Sequence, residues 1–86
     1  MLAYEVHNQF HINIGVYNTM KKAYNAAINY LNDLIVEMKS ENYYTKHIEE
    51  ERDSLIELRN KIGTKYQMNP DKFYLGHEVS IIPKRV

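Results

Sequence analysis

Between Asn18 and Gly63 the chain contains no proline and no internal glycine, and a breaker-free stretch of that length points to helix. Within it Met20, Tyr24, Ala27, Leu31, Leu34 and Met38 recur at alternating steps of four and three. That spacing places them on one side of an α-helix. Ala23, Ile28, Tyr30 and Ile35 flank the row. A stripe this wide predicts burial against two neighbours, such as a sheet plus a second helix or a partner chain.

The pattern changes across Ser40-Glu41-Asn42-Tyr43-Tyr44-Thr45. Beyond it Ile48, Leu55 and Ile62 keep one apolar member of the heptad, while Thr45, Arg52 and Arg59 occupy the other. We read this as a break, followed by a second helix from about Thr45 to Ile62 that Gly63 stops. The alternative is one continuous helix of over about forty residues, beyond the ordinary globular range. Asn18 is the expected N-cap of the first helix, with Thr19 as competitor. Lys21 and Lys22 oppose its dipole, whereas Glu49, Glu50, Glu51 and Asp53 early in the second helix and Arg59 and Lys61 late in it suit theirs.

Before the helices, Leu2, Tyr4 and Val6 alternate with Ala3, Glu5 and His7, and Ile12, Ile14 and Val16 alternate with Asn13, Gly15 and Tyr17. Both are the period-two signature of a strand with one buried face. Pairing the two apolar sets requires an odd-numbered loop, either Gln9-Phe10-His11 or His7 to His11, because paired residues share a face. After a loop marked by Asn69-Pro70-Asp71, Phe73, Leu75, His77, Val79 and Ile81 alternate with Tyr74, Gly76, Glu78, Ser80 and Ile82. This reads as one last strand, ended by Pro83 and a basic tail of Lys84 and Arg85. The expected fold class is α+β, a single domain over residues 1–86 with topology β-β-α-α-β. Its three-stranded antiparallel sheet has the order 2-1-3, with a helical hairpin or one long helix packed on one face.

The segment Ile14-Gly15-Val16-Tyr17-Asn18-Thr19, with Ala23 and Ala26-Ala27 following, resembles the "IGVY/F-S-T…A…A" strand–turn–helix of small ββαβ domains of unknown function from bacteria and phages. The resemblance extends to Tyr4-Glu5-Val6 and to His77-Glu78-Val79. It implies the same fold and a phage or mobile-element origin. It brings no catalytic residues. The acidic second helix, and Lys21 where an acidic residue is usual, depart from that pattern.

Composition narrows the function. Eleven basic residues balance eleven acidic ones, so no overall field draws in nucleic acid or an anionic membrane. Cysteine is absent, which excludes thiolate chemistry and disulfides. No apolar run reaches the roughly 20 residues of a membrane span, and no signal-peptide pattern opens the chain. The expectation is a cytoplasmic protein without cofactor or metal, with a protein partner and a tendency to homodimerise, since so small a core gains from self-association.

Ser40, Ser54 and Ser80 lie in no elbow or triad context, and the isolated glycines form no phosphate loop. His7 and His11 would face each other across the hairpin in the longer-loop register, but no third ligand accompanies them. His77 falls on the apolar side of the expected last strand. The eight tyrosines exceed what a small core needs, and tyrosine is enriched at interfaces. Tyr17 and Tyr74 are expected on the open sheet face beside Glu5, His7, Asn13 and Glu78, and Tyr43 and Tyr44 at the helical bend. Protein contact by these tyrosines or by Glu49, Glu50 and Asp53 is the first reading, in a non-enzymatic inhibitor of a host defence protein. The alternative is a small-ligand or nucleotide-signal binder with Tyr17, Tyr74, His7, Lys84 and Arg85 around a pocket between protomers.

Overall fold

The computed structural model describes residues 2–62 and 74–85. Its elements are β1 (Leu2–Asn8), β2 (Asn13–Tyr17), α1 (Met20–Ser40), α2 (Lys46–Lys61), β3 (Tyr74–Leu75) and β4 (Val79–Arg85). The fold is α+β: two helices pack on one face of an antiparallel sheet. That sheet has four strands in the order β2-β1-β4-β3 rather than three in the order 2-1-3. The expected pairing of the first and last strands is present, with Leu2 opposite Arg85 and Asn8 opposite Val79. The expected Gly63 stop, Phe73 and the loop around Pro70 lie outside the described residues.

The single closing strand of the sequence pattern is two. The chain turns at Gly76-His77-Glu78, so that Tyr74 pairs with Ile81 and Leu75 with Ser80. A Cβ on Gly76 would sit 2.6 Å from a Glu51 carboxylate oxygen and 2.8 Å from the Val79 carbonyl, so only glycine fits this turn. Pro83, expected to end the ladder, lies inside β4 opposite Tyr4. Among the described residues β3 pairs with Ser80 and Ile81 of β4 and not with Pro83.

The β1–β2 hairpin also departs from the expected register. Tyr4 pairs with Tyr17, Val6 with Gly15 and His7 with Asn13, leaving Ile14 as the extra residue of a bulge. Asn8 organises the turn: its side-chain Oδ1 accepts from the N–H groups of Phe10 and Ile12, and its carbonyl accepts from the His11 N–H. His11 adopts the left-handed region at φ 61°, the role a glycine usually fills. Because Tyr4 and Val6 are buried, their partners Tyr17 and Gly15 take the helix-facing side. The Tyr17 ring lies across Gly15, where a Cβ would come within 2.8 Å of it. Ile12, Ile14 and Val16 are exposed as a consequence. The expected face of β2 is inverted, by one bulged residue.

The helical middle is a hairpin, not one long helix. The N-cap of α1 is Thr19 rather than Asn18: its hydroxyl accepts from the Lys22 N–H at 3.2 Å. Asn18 is consumed in turning the chain out of β2. At the other end Asn42 takes φ 65°, and the Tyr43 N–H donates to the Met38 carbonyl at 2.9 Å. The wide stripe of α1 meets both predicted neighbours. Tyr24, Ala27, Leu31 and Ile35 are buried together with Tyr4, Val6, Val79 and Ile81 of the sheet and Ile48 and Leu55 of α2. Truncating a fully buried Leu31 or Leu55 to alanine is worth about 2–5 kcal/mol.

The polar members of the second helix have partners in register. Arg59 Nη1 donates to Asn25 Oδ1 at 3.1 Å and Arg52 Nη1 to Asn32 Oδ1 at 3.2 Å. Lys39 and the Thr45 hydroxyl both donate to Glu49. Asn25, Asn32 and Lys39 ascend α1 in seven-residue steps, and Arg59, Arg52 and Glu49 meet them in descending order on α2, forming a polar seam beside the apolar one.

Candidate functional site

The structure separates the tyrosines that the sequence groups together. Tyr74 does not face outward: its ring packs on Tyr24 with centroids 6.2 Å apart. Burial pushes both hydroxyls up to about 12. Tyr17 is half-buried against the core at the opposite edge of the sheet. Neither belongs to the open face as expected. That face instead carries Glu5, His7, Val16, Ile82 and Lys84, following from the buried Tyr4 and Val6 and the register of β1 with its neighbours. His7 Nε2 lies 3.1 Å from Glu5 Oε1, and Lys84 Nζ donates to Glu5 Oε2 at 3.3 Å. The His7 hydrogen bond, ahead of Lys84, holds the Glu5 carboxyl below its ordinary range.

Within one chain the residues of the ligand reading are therefore not side by side. Tyr17 and Tyr74 sit at different edges, and His7 and Lys84 lie on the face away from the helices. Arg85 is exposed at the end of β4, opposite Leu2. His7 faces Asn13 across the hairpin rather than His11, and His77 is exposed in the β3–β4 turn rather than set on an apolar face. Among the described residues no three His, Asp or Glu side chains group in a way that could hold a metal ion.

The acidic segment of α2 splits into distinct duties. Glu49 bonds Thr45 and Lys39, and the Thr45 hydroxyl, then Lys39, draws its carboxyl below the usual value. Glu50 and Asp53 are exposed as expected, Asp53 lying 3.1 Å from Arg52. Glu51, which the sequence does not distinguish from its neighbours, is the structural one. Its carboxylate accepts from the N–H of His77 at 3.0 Å and from those of Glu78 and Val79 at 3.2 Å, clasping the β3–β4 turn. The nearest signal would be a glycine-containing turn with three consecutive backbone donors, and its acceptor lies 26 residues upstream.

Two groups of neighbouring exposed apolar or aromatic side chains stand out among the described residues. At the tip of the helical hairpin Tyr43 and Tyr44 are 60% and 73% exposed, in agreement with the sequence. The second surface was not anticipated. Along β2 and its turn, Phe10, Ile12, Ile14 and Val16 are exposed by 71, 58, 37 and 57%. Behind this edge lies an open groove of about 550 Å³ between β2 and α1, lined by Ile14, Tyr17, Lys22, Asn25, Ala26, Asn29, Tyr30 and Asp33. Tyr30 closes one side by donating its hydroxyl to Gln9 at 2.6 Å.

No described helix is long and apolar enough to cross a membrane. Compared with protein-family models, with curated proteins and with solved structures, the chain matches none.

Proposed function

We propose that this chain is a non-enzymatic interaction protein whose output is occlusion of a partner protein's surface, made through the tip of the helical hairpin. The observation that carries this reading is the pair Tyr43–Tyr44, both largely exposed on a tip that is fixed from both sides. The Asn42 and Tyr43 N–H groups are held by the Lys39 and Met38 carbonyls, and the buried Thr45 anchors the start of α2 through its carbonyl and its bond to Glu49. Rigid tyrosines give large amphipathic contact area with little entropy left to lose on binding. Glu50 and Asp53, one to two turns further along α2, supply an acidic flank that favours a basic rim on the partner.

The most specific form of the proposal is an inhibitor of a host defence protein. It is supported by the small size, the neutral charge and the resemblance to small phage and bacterial domains rather than by any geometry. The test is crosslinking capture from host lysate with the wild-type chain and with Tyr43→Ser/Tyr44→Ser, the two being matched in circular dichroism and melting temperature. A partner crosslinked by the wild type and lost with the double variant supports the reading. Equal capture by both removes the tip from it.

A further inference from the structure

We propose that the β2 edge and the adjoining flank of α1 pair with a second copy of this chain, antiparallel across a two-fold axis, so that two four-stranded sheets join through β2. Three observations converge on self-association rather than on a foreign partner.

First, β2 is an edge strand without charge or proline, guarded only by the Ile14 bulge and by the Asn13 side-chain oxygen that accepts from the Gly15 N–H. Native edges are usually blunted by lysine, proline or inward charge, yet residues 6–20 contain none of the eleven basic and eleven acidic residues of the chain. An uncharged strand meets its own copy without repulsion, whereas a charged partner gains nothing from it.

Second, the α1 side of the groove is self-complementary. Lys22, Ala26, Asn29 and Asp33 fall at steps of four, three and four and line the groove together, one stripe of the helix. When two such stripes run antiparallel about a point between Ala26 and Asn29, Lys22 of each copy faces Asp33 of the other. Ala26 then meets Asn29, and its small side chain permits close approach. Within one chain Lys22 and Asp33 are about 16 Å apart along the helix axis, so they satisfy each other only across the interface.

Third, the strand and the helix stripe border the same groove, which is lined by Ile14 and Tyr17 of β2 and by the Lys22–Asp33 stripe of α1. A two-fold axis beside that groove acts on both elements, as an isologous interface requires. The four exposed apolar side chains offer on the order of 400 Å² per copy, half of the ~800 Å² per partner of a standard interface. The helix flank contributes the remainder.

The experiment is sedimentation equilibrium on the full chain over a range from about 1 µM to 1 mM, with charge reversals as the diagnostic. The wild type is expected to dimerise. Lys22→Asp and Asp33→Lys each place like charges together across the axis and are expected to weaken the dimer by about tenfold or more. The double reversal Lys22→Asp/Asp33→Lys restores opposite charges and is expected to return the affinity to within about threefold of wild type. Val16→Lys, at an already exposed position, blocks the strand edge and yields a folded monomer. A wild type that stays monomeric up to 1 mM overturns the proposal. So does a dimer indifferent to the single reversals and to Val16→Lys, or a double reversal that fails to restore it. Tyr43→Ser/Tyr44→Ser is expected to leave the dimer intact, which separates this inference from the tip-binding reading.

Discussion

Replacing Glu51 by alanine is expected to destabilise this fold out of proportion to its place on a charged helix face. The carboxylate accepts four contacts from three successive N–H groups, those of His77, Glu78 and Val79. A hydrogen bond to a charged group is worth about 1.5–3 kcal/mol net, and the larger loss comes where the orphaned donor cannot reach water. His77 is exposed and Glu78 half-buried, so water replaces the carboxylate there, whereas Val79 is buried. The loss is therefore set chiefly by one donor and the released turn, at about 2–3 kcal/mol. A domain of this size has roughly 4–13 kcal/mol in total. With a urea dependence near 1 kcal/mol per molar, the midpoint of unfolding falls by about 2–3 M at unchanged slope. Glu51→Gln keeps one acceptor and should lose about half as much. Glu50→Ala, one residue away and exposed, should change stability by less than about 0.5 kcal/mol. Urea unfolding followed by circular dichroism decides it: equal effects of Glu50→Ala and Glu51→Ala would refute the clasp.

Alkaline titration tests the buried ring pair. The folded-state values of Tyr24 and Tyr74 are raised from 10 to about 12, so the stability they contribute is whole below pH 10 and is lost as pH rises toward 12. Tyrosinate absorbance should show these two titrating last and together with unfolding, and normal titration of both would contradict their packing. Thr19→Ala should cost about 1 kcal/mol as the loss of an N-cap, while Asn18→Ala should be close to neutral. Thermal melts that rank these two in reverse would return the cap to Asn18.

The helices were legible in the sequence because a wide stripe at helical spacing has few other readings, and the break at Ser40–Thr45 appeared as a change in heptad content. The seam was half legible: Thr45, Arg52 and Arg59 stood out at heptad positions, but Asn25, Asn32 and Lys39 acquire meaning only once the hairpin sets the register. Strand faces fared worse for a definite reason. A period-two pattern carries no information about a bulge, and a single extra residue at Ile14 exchanged the faces of β2. Likewise the alternation from Phe73 to Ile82 runs through a reversal at Gly76–Glu78 that exchanges the faces on its two sides, so that Tyr74 joins Ile81 and Leu75 joins Ser80. Tyr17 and Tyr74 were misplaced by these two events, whereas Tyr43 and Tyr44, at a break that periodicity does reveal, were placed correctly. The exposed edge was hidden because Ile12, Ile14 and Val16 look like core residues.

Two polar pairs between the helices, Asn25 with Arg59 and Asn32 with Arg52, lie seven residues apart on each helix, and this makes the arm telescopic. Adding or deleting one heptad cassette in both helices would move the tyrosine-bearing end by about 10 Å. The bonding pattern would be preserved, and β1, β2 and β4 would be left untouched. Reach and platform can thus vary independently: a lineage of such chains could adjust how far the arm extends without refolding the part that supports it.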